Sequence, residues 1–526
     1  MQKQNHNMRT ERKSSIKNSA TRLILIALLV LIQTGWMIVL MSKLNTYSTA
    51  ITLTMTCIAV IIALKVFGTH VNSAQRMPWL IVITAVPFFG ICIYLLFGRS
   101  IVTKGMRRRF NGIEADILKN KLKQDEQIIK ELEQKDPGIA NQCRYISNTA
   151  KYPVYKNTDM EYYNTALESF EAQLWELSKA EKFIFMEYHA IEDAISFERL
   201  KKVLIDKAKN GVEVRIFYDD LGSIFFLNKE FIKRMRDEGI QCRVFNPLKV
   251  IVNMFMNNRD HRKITVIDGK VGFTGGYNLA DEYFNITHPY GYWKDTGVKL
   301  TGDAVKSLTA SFLTMWNAID HTDSQEAYDE YIDATDGTYN AASQECYVQP
   351  YSDNPLGHDR IGEDVYLNIL KNAKHYVYIT TPYLIITDEM ERELRLAVKR
   401  GVDVRIVTPG IPDKKMVYKI TRSYYEPLCS AGVRIYEYTP GFCHAKQWVA
   451  DDEVCVVGTI NMDFRSLYLH FENAVFTYNR ELAGKVKADM LNNFEISNEV
   501  TSDYAVDVIR PLKLGTCMLH MISPLL

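Results

Sequence analysis

Two stretches of this sequence set a lysine two residues and an aspartate seven residues after a histidine. They are His261-Arg-Lys263-Ile-Thr-Val-Ile-Asp268 and His444-Ala-Lys446-Gln-Trp-Val-Ala-Asp451. Seventeen residues after each histidine comes an asparagine, Asn278 or Asn461, with glycine in between: Gly272, Gly275 and Gly276 in the first stretch, Gly458 in the second. One copy is explained equally well by an incidental β-hairpin. Two copies with the same downstream glycine and asparagine point to chemistry. Alternate side chains of a strand share a face, so each histidine and its lysine are expected to point the same way. A lysine gives a fixed positive charge for a phosphate oxygen. A histidine can attack phosphorus or move a proton near neutral pH. Such a set suits phosphodiester transfer, and its candidate motif residues are His261, Lys263, Asp268, His444, Lys446 and Asp451. The two aspartates have the opposite parity. Asp268 opens an Asp-Gly hairpin signal and Asp451 sits similarly in Asp451-Asp452, so both are expected to hold turns more than to do chemistry.

The elements around the motifs repeat. Phe183 to Tyr188 reads as a strand, 193–210 has helical spacing, and Gly211-Val-Glu-Val-Arg-Ile-Phe-Tyr218 is the next strand. Tyr376 to Tyr383, a helix ending at Arg400, and Gly401-Val-Asp-Val-Arg-Ile-Val407 follow the same plan. This β-α-β order predicts α/β halves with mixed, largely parallel sheets flanked by helices. Glu238-Gly-Ile240 to Asn246-Pro247 matches Ala431-Gly-Val433 to Thr439-Pro440 at an offset of 193 residues, while the two histidines are 183 apart. The first half therefore carries about ten extra residues before His261, in or around the apolar run Leu248 to Met256. That run is expected either to line an acyl-chain path or dip into a membrane surface, or to pack as a buried loop. A duplicated chain with one His-Lys pair per half suggests pseudo-twofold packing around a shared cleft.

Three apolar runs, 23–42, 49–67 and 79–97, approach the roughly 20 residues that span a bilayer. They predict N-terminal transmembrane helices after a basic tail, 1–22. Basic residues flank both ends of the region, so both flanks favour the cytoplasm, which three full crossings cannot satisfy. Pro87 and Gly90 break the third run, which suits a re-entrant or interfacial segment. A cytoplasmic catalytic region on a multi-pass cell-membrane protein is the expectation. Residues 98–140 read as a basic, helical linker, largely solvated, in which Arg107 to Arg109 either touch anionic lipid headgroups or flank the membrane segment. The halves are placed at 141–340 and 341–526, with motif regions 256–283 and 439–466. A net charge of +1 in 526 residues implies no bulk polyanion partner and argues against nucleic acid. Nine cysteines without a CxxC pair are read as buried hydrophobes in a reducing compartment. No clustered metal-ligand spacing occurs.

The chain resembles the bacterial cardiolipin synthases of the phospholipase D superfamily. The likeness rests on Met186-Glu-Tyr188, Asn258 to Lys263, Phe273 to Asn278, Tyr292-Trp-Lys-Asp295-Thr, Thr380-Thr-Pro-Tyr383, Ser423-Tyr-Tyr425, Tyr436 to Phe442 and Asn461-Met-Asp-Phe-Arg465-Ser466. It implies a reaction that joins two phosphatidylglycerol molecules, giving cardiolipin and glycerol, with no metal or other cofactor. It further implies a covalent phosphatidyl-histidine intermediate. By analogy His261 is the nucleophile and His444 the acid and base, although the duplication allows the reverse. Lys263, Lys446, Asn278 and Asn461 would hold the phosphoryl oxygens, and Asp295 and Glu472 are candidates to orient the histidines. Arg465-Ser466 is expected to support the pocket from outside, and His189, His288, His375 and His470 to be structural or exposed. The competing readings are a hydrolytic phospholipase D, a phosphatidylserine synthase, a nuclease on the same fold and an inactive membrane scaffold. The sequence does not give the oligomeric state.

Overall fold

The computed structural model describes residues 48–69, 71–98, 104–228, 230–247, 257–320, 328–334, 345–507 and 514–523, with a few isolated positions besides. The basic tail and the apolar loop 248–256 lie outside the described residues, as does most of the first apolar run.

The second apolar run forms the helix Ser48–Phe67. The third is two helices, Ser73–Ala85 and Pro87–Phe97, broken at Val86 as Pro87 predicts. They double back tightly: a Cβ on Gly90 would lie 2.3 Å from the Val82 carbonyl oxygen, so only glycine fits there. Eleven residues rise about 16 Å as a helix, well short of a bilayer core. Among the described residues no helix is long and apolar enough to cross a membrane.

The segment expected as a solvated linker is packed. Phe110, Ile117, Leu118, Leu122, Ile129 and Leu132 are buried in the main core, because the apolar positions of Lys104–Asp116 and Glu126–Lys135 fall on one helical face. Arg107 and Arg109 donate to the Leu356 and Ala318 carbonyls, which ties this helix to both halves. Six of the nine cysteines are buried hydrophobes, but Cys57 and Cys517 are exposed and Cys92 is partly so.

The first half has β1 (Thr158–Tyr163), β2 (Phe183–Tyr188), β3 (Glu213–Asp219), β4 (Gln241–Phe245), β5 (Arg259–Asp260), β6 (Lys263–Ile267), β7 (Val271–Gly275), β8 (Tyr292–Lys294) and β9 (Gly297–Gly302). Seven of these form a sheet in the order β1-β9-β7-β6-β2-β3-β4. The second half has β10 (Tyr347–Asp353), β11 (Tyr376–Thr380), β12 (Leu384–Ile385), β13 (Asp403–Pro409), β14 (Arg434–Tyr438), β15 (Gly441–Cys443), β16 (Gln447–Ala450), β17 (Val454–Gly458), β18 (Met462–Asp463), β19 (His470–Tyr478) and β20 (Ser497–Glu499). Its sheet runs β10-β19-β17-β16-β11-β13-β14-β20. The sheets are mixed, as expected, but mostly antiparallel instead of largely parallel. Along the two main strand orders only β2-β3-β4 and β11-β13-β14 run parallel. Each motif begins a hairpin, β6-β7 or β16-β17, and the chain then meanders antiparallel into β9 or β19. A tight turn can join only antiparallel neighbours.

One hydrophobic core runs through both halves, including Phe185, Val266, Leu300 and Phe312 from the first and Val377, Ile406, Trp448 and Val475 from the second. Two short pairings then cross between halves reciprocally. β5 pairs in parallel with the start of β19, Arg259 opposite His470 and Asp260 opposite Phe471. β15 pairs in parallel with β8, Phe442 opposite Trp293 and Cys443 opposite Lys294. This exchange is what pseudo-twofold packing of the duplicated halves requires.

Candidate active site

Each crossing strand ends immediately before a motif histidine. The backbone N–H of His261 donates to the Phe471 carbonyl at 2.9 Å, and that of His444 to the Lys294 carbonyl at 2.7 Å. One residue further along the partner strand stands a carboxylate. His261 Nδ1 lies 3.0 Å from the Glu472 carboxylate, and His444 Nδ1 lies 2.6 Å from Asp295 Oδ2. Both carboxylates belong to the opposite half. Each half therefore supplies an imidazole to its own motif and an acid to the other's. With Nδ1–H donated to a carboxylate, the lone pair of a neutral imidazole is on Nε2.

Both histidines, together with Asn278 and Asn461, line a single cavity of about 650 Å³. Its wall has two characters. Around His261 stand His189 and His470, with ring centroids 5.0 and 5.5 Å from it, and Arg259 and Arg465 also line the wall. Around His444 stand Tyr283, Trp293 and Phe442 at 5.4, 5.2 and 5.7 Å. Phe225, Phe226, Ile385 and Val417 complete an apolar part of the lining.

The lysines sit behind the histidines instead of beside them on a strand face. Lys263 and Lys446 are buried. Lys263 Nζ donates to the His261 carbonyl at 2.6 Å, and Lys446 Nζ donates to the His444 carbonyl and lies 2.8 Å from its Nδ1. The Asn278 side chain accepts from Ala190 N at 3.1 Å and donates to the Tyr283 hydroxyl at 2.7 Å. Asn461 lines the cavity, while its side-chain oxygen is buried without a hydrogen-bond partner among the described residues.

The motif aspartates lie away from the cavity, at the far ends of their strands. The Asp268 carboxylate accepts from the backbone N–H of Glu181, Lys182 and Phe183 at 2.7–2.8 Å. Asp451 does the same for Lys374, His375 and Tyr376 at 2.7–2.9 Å. Both adopt φ of +54°, which aspartate tolerates better than most residues. They clamp the turn to the start of β2 or β11, and nothing in their placement lets them touch a ligand beside the histidines.

Burial dominates the electrostatics. Desolvation, then the Lys263 and Lys446 charges, push the His261 imidazole well below its usual range. Desolvation and Lys446 bring His444 down to about 4, with Asp295 opposing. Burial lowers Lys263 to about 7 and Lys446 to about 8. Burial alone would raise Asp295, but His444 and Lys446 outweigh it and hold the carboxyl below its usual value. Each lysine is influenced by both carboxylates, Glu472 and Asp295, as expected where two motifs converge.

The two carboxylates are held differently. Glu472 also accepts from the Thr459 and Ser466 hydroxyls at 2.5 Å. Among the described residues Asp295 has the Thr296 N–H at 3.0 Å as its one hydrogen-bond partner besides His444. Gly276, the register equivalent of Thr459, leaves room for Asp295, since a Cβ there would sit 2.0 Å from Oδ1.

Sequence reasoning set aside His189 and His470 and kept Arg465 out of the pocket; all three line it. His189 directly follows β2, and His470 lies two residues before Glu472 on the same strand, hence on the same face. Those two positions were the available signals. His375, by contrast, sits with the Asp451 clamp. His261, His470 and Glu472 are the group among the described residues whose donor atoms lie close enough to hold a metal ion, all within 4.8 Å of one another.

A mixed α/β pair of halves with two carboxylate-backed histidines facing one cavity defines a phospholipase D-like architecture. The fold matches the crystal structure of phosphatidylserine synthase from Haemophilus influenzae Rd KW20, with a TM-score of 0.54 at 14% identity, covering 73% of this chain and 98% of that one. The family model described as cardiolipin synthase, PLD-like domain matches residues 174–316 and 366–493, and one described as Phospholipase D-nuclease N-terminal matches 53–99. A cardiolipin synthase from Clostridium perfringens is 32% identical over 460 residues, spanning 86% of this chain and 95% of its own length. An uncharacterized protein from Streptococcus mutans is 39% identical over 465 residues, spanning 88% of this chain and 99% of its own. The chain belongs to the cardiolipin synthase family of PLD-like proteins.

Proposed function

We propose that this protein is a membrane-associated cardiolipin synthase, transferring a phosphatidyl group between two phosphatidylglycerol molecules and releasing glycerol. The observation that carries the reading is the reciprocal pairing of His261 with Glu472 and His444 with Asp295 on one cavity. In this reading His261 Nε2 attacks the donor phosphorus, forming an N–P bond as the P–O bond to glycerol breaks. His444, protonated, gives its proton to the departing glycerol oxygen. It then removes the proton from the hydroxyl of the second phosphatidylglycerol, whose oxygen displaces His261 from phosphorus.

The difference between the two carboxylates supports this assignment of roles. Asp295 is short-bonded to His444 and little shared, so it favours the imidazolium an acid needs. Glu472 divides its charge among His261 and two hydroxyls, so it supports a proton on His261 less and suits a neutral nucleophile. Lys263 and Lys446, buried behind the imidazoles, then add positive charge toward the phosphoryl group, and the two asparagines shape the cavity wall beside it. Asp268 and Asp451 act through the fold.

Membrane association rests on the apolar N-terminal helices and on the cavity rim. The C-terminal helix Leu514–Ile522 packs against Ser73–Ala85 and Lys415–Ser423. Leu514, Met518, Met416 and Met77 of this group are exposed, while Val417 and Ser523 beside them line the cavity. Exposed apolar residues gathered at the mouth suit access from a lipid surface.

Incubating the purified protein with phosphatidylglycerol vesicles and analysing products tests the reading. Cardiolipin with equimolar glycerol supports it. Phosphatidic acid would make the protein a hydrolase, and neither product would refute both.

A further inference from the structure

We propose that His261, His470 and Glu472 form an inhibitory site for a borderline transition-metal dication such as Zn²⁺. Three observations carry this. First, the donor atoms of these residues lie within 4.8 Å of one another and all three residues are buried. Second, the Glu472 carboxylate is 3.0 Å from His261 Nδ1 and 3.6 Å from His470 Nδ1. Ligands about 2.0–2.1 Å from a tetrahedral zinc stand ~3.3 Å apart, so the three need little movement. Third, His470 is buried, its ring lines the cavity, and its Nδ1 meets the Glu472 carboxylate at 3.6 Å, longer than a good hydrogen bond. An imidazole desolvated against so loose a partner gains from a closer one.

The chain carries its own control. By strand register Asp295 corresponds to Glu472, and the residue two before it is Trp293 where the second half has His470. The His444–Asp295 pair thus lacks a third ligand, and one site per chain is expected, not two. Two imidazoles and a carboxylate favour Zn²⁺ or Cu²⁺ over Mg²⁺ or Ca²⁺, which prefer oxygen donors. Three protein ligands leave a fourth position for a water or a phosphate oxygen. A metal here replaces the Nδ1 proton of His261, turns the ring and removes Glu472 from its orienting role. The metal site rests on geometry alone; the inhibition rests also on the proposed role of His261.

The test uses full-length, chelator-treated protein in detergent micelles, titrated with zinc chloride against a competing chromophoric chelator. Expected are one tight zinc per chain, at least ~10-fold weaker zinc binding in His470→Asn, and loss of transferase activity that EDTA restores. No tight zinc in the wild type, or equal affinity in His470→Asn, would overturn the site. If His470→Asn fails to fold, zinc-edge X-ray absorption of the wild type decides. Two imidazoles with carboxylate oxygen support the site; a sulfur-containing shell, as from exposed Cys57 or Cys517, overturns it. Zinc bound at this site with full activity retained would leave the metal site standing and refute His261 as nucleophile.

Discussion

Replacing Asp295 by Asn separates the two histidines' roles. Asp295 is fully buried, and its charge-assisted bond to His444 is 2.6 Å long. Hydrogen bonds to charged groups contribute about 1.5–3 kcal/mol, and about 1.4 kcal/mol corresponds to one pKa unit. Without the carboxylate, His444 should hold its proton about one to two units less well, starting from about 4. A reaction limited by that proton should slow about 10- to 100-fold. The loss should largely vanish for a substrate whose leaving group needs no proton, such as a p-nitrophenyl phosphodiester. The Thr296 N–H keeps its acceptor, so the fold should survive with a stability cost of about 1–3 kcal/mol. Release of p-nitrophenol and cardiolipin formation are followed in parallel on the same preparations. Equal losses with both substrates would refute the assignment of His444 as acid, and an unimpaired enzyme would refute the pairing across halves.

Glu472→Gln should slow both substrates alike, because it disorients the nucleophile; parallel assays check this. Gly276→Ala places a Cβ 2.0 Å from the Asp295 carboxylate, so activity should fall about 100-fold while melting shifts only modestly. Asp268→Ala removes the acceptor of three backbone N–H donors and should lower stability by about 1–3 kcal/mol, seen as an earlier melt, with turnover per folded molecule within a few-fold of wild type. Lys263 titrates near 7 in the folded protein and near 10.4 unfolded. Between those values the unfolded chain binds more protons, so stability should rise with pH from about 7 to 10. Lys263→Met should flatten that slope in pH-dependent melts.

How much was legible in the sequence followed how local each signal was. The motif spacing, the Asp-Gly turn and the β-α-β repeats are written in adjacent residues, and each element formed where expected. The break at Pro87 was legible because proline acts on its own backbone. The parallel expectation went wrong because the β-α-β signal covers only three strands per half, while hairpins and meanders built the rest of each sheet. Asp295 and Glu472 stood out as acids after each motif, but not which histidine each would meet. That depends on β5 and β15, strands of two and three residues pairing with the other half, and no local pattern encodes such pairing. His470 was set aside because its position beside His261 comes from the same crossing. The linker looked solvated because its charges outnumber its apolar stripe; tertiary burial of that stripe decided the outcome.

In the proposed mechanism histidines from two halves act in sequence on one phosphorus. Rapid quenching of His444→Ala with an activated phosphodiester, followed by peptide mass spectrometry, tests it most directly. The expected result is a phosphoryl group trapped on His261, formed quickly and released slowly. A phosphoryl group on another residue, or multiple turnovers with no covalent species, would contradict it.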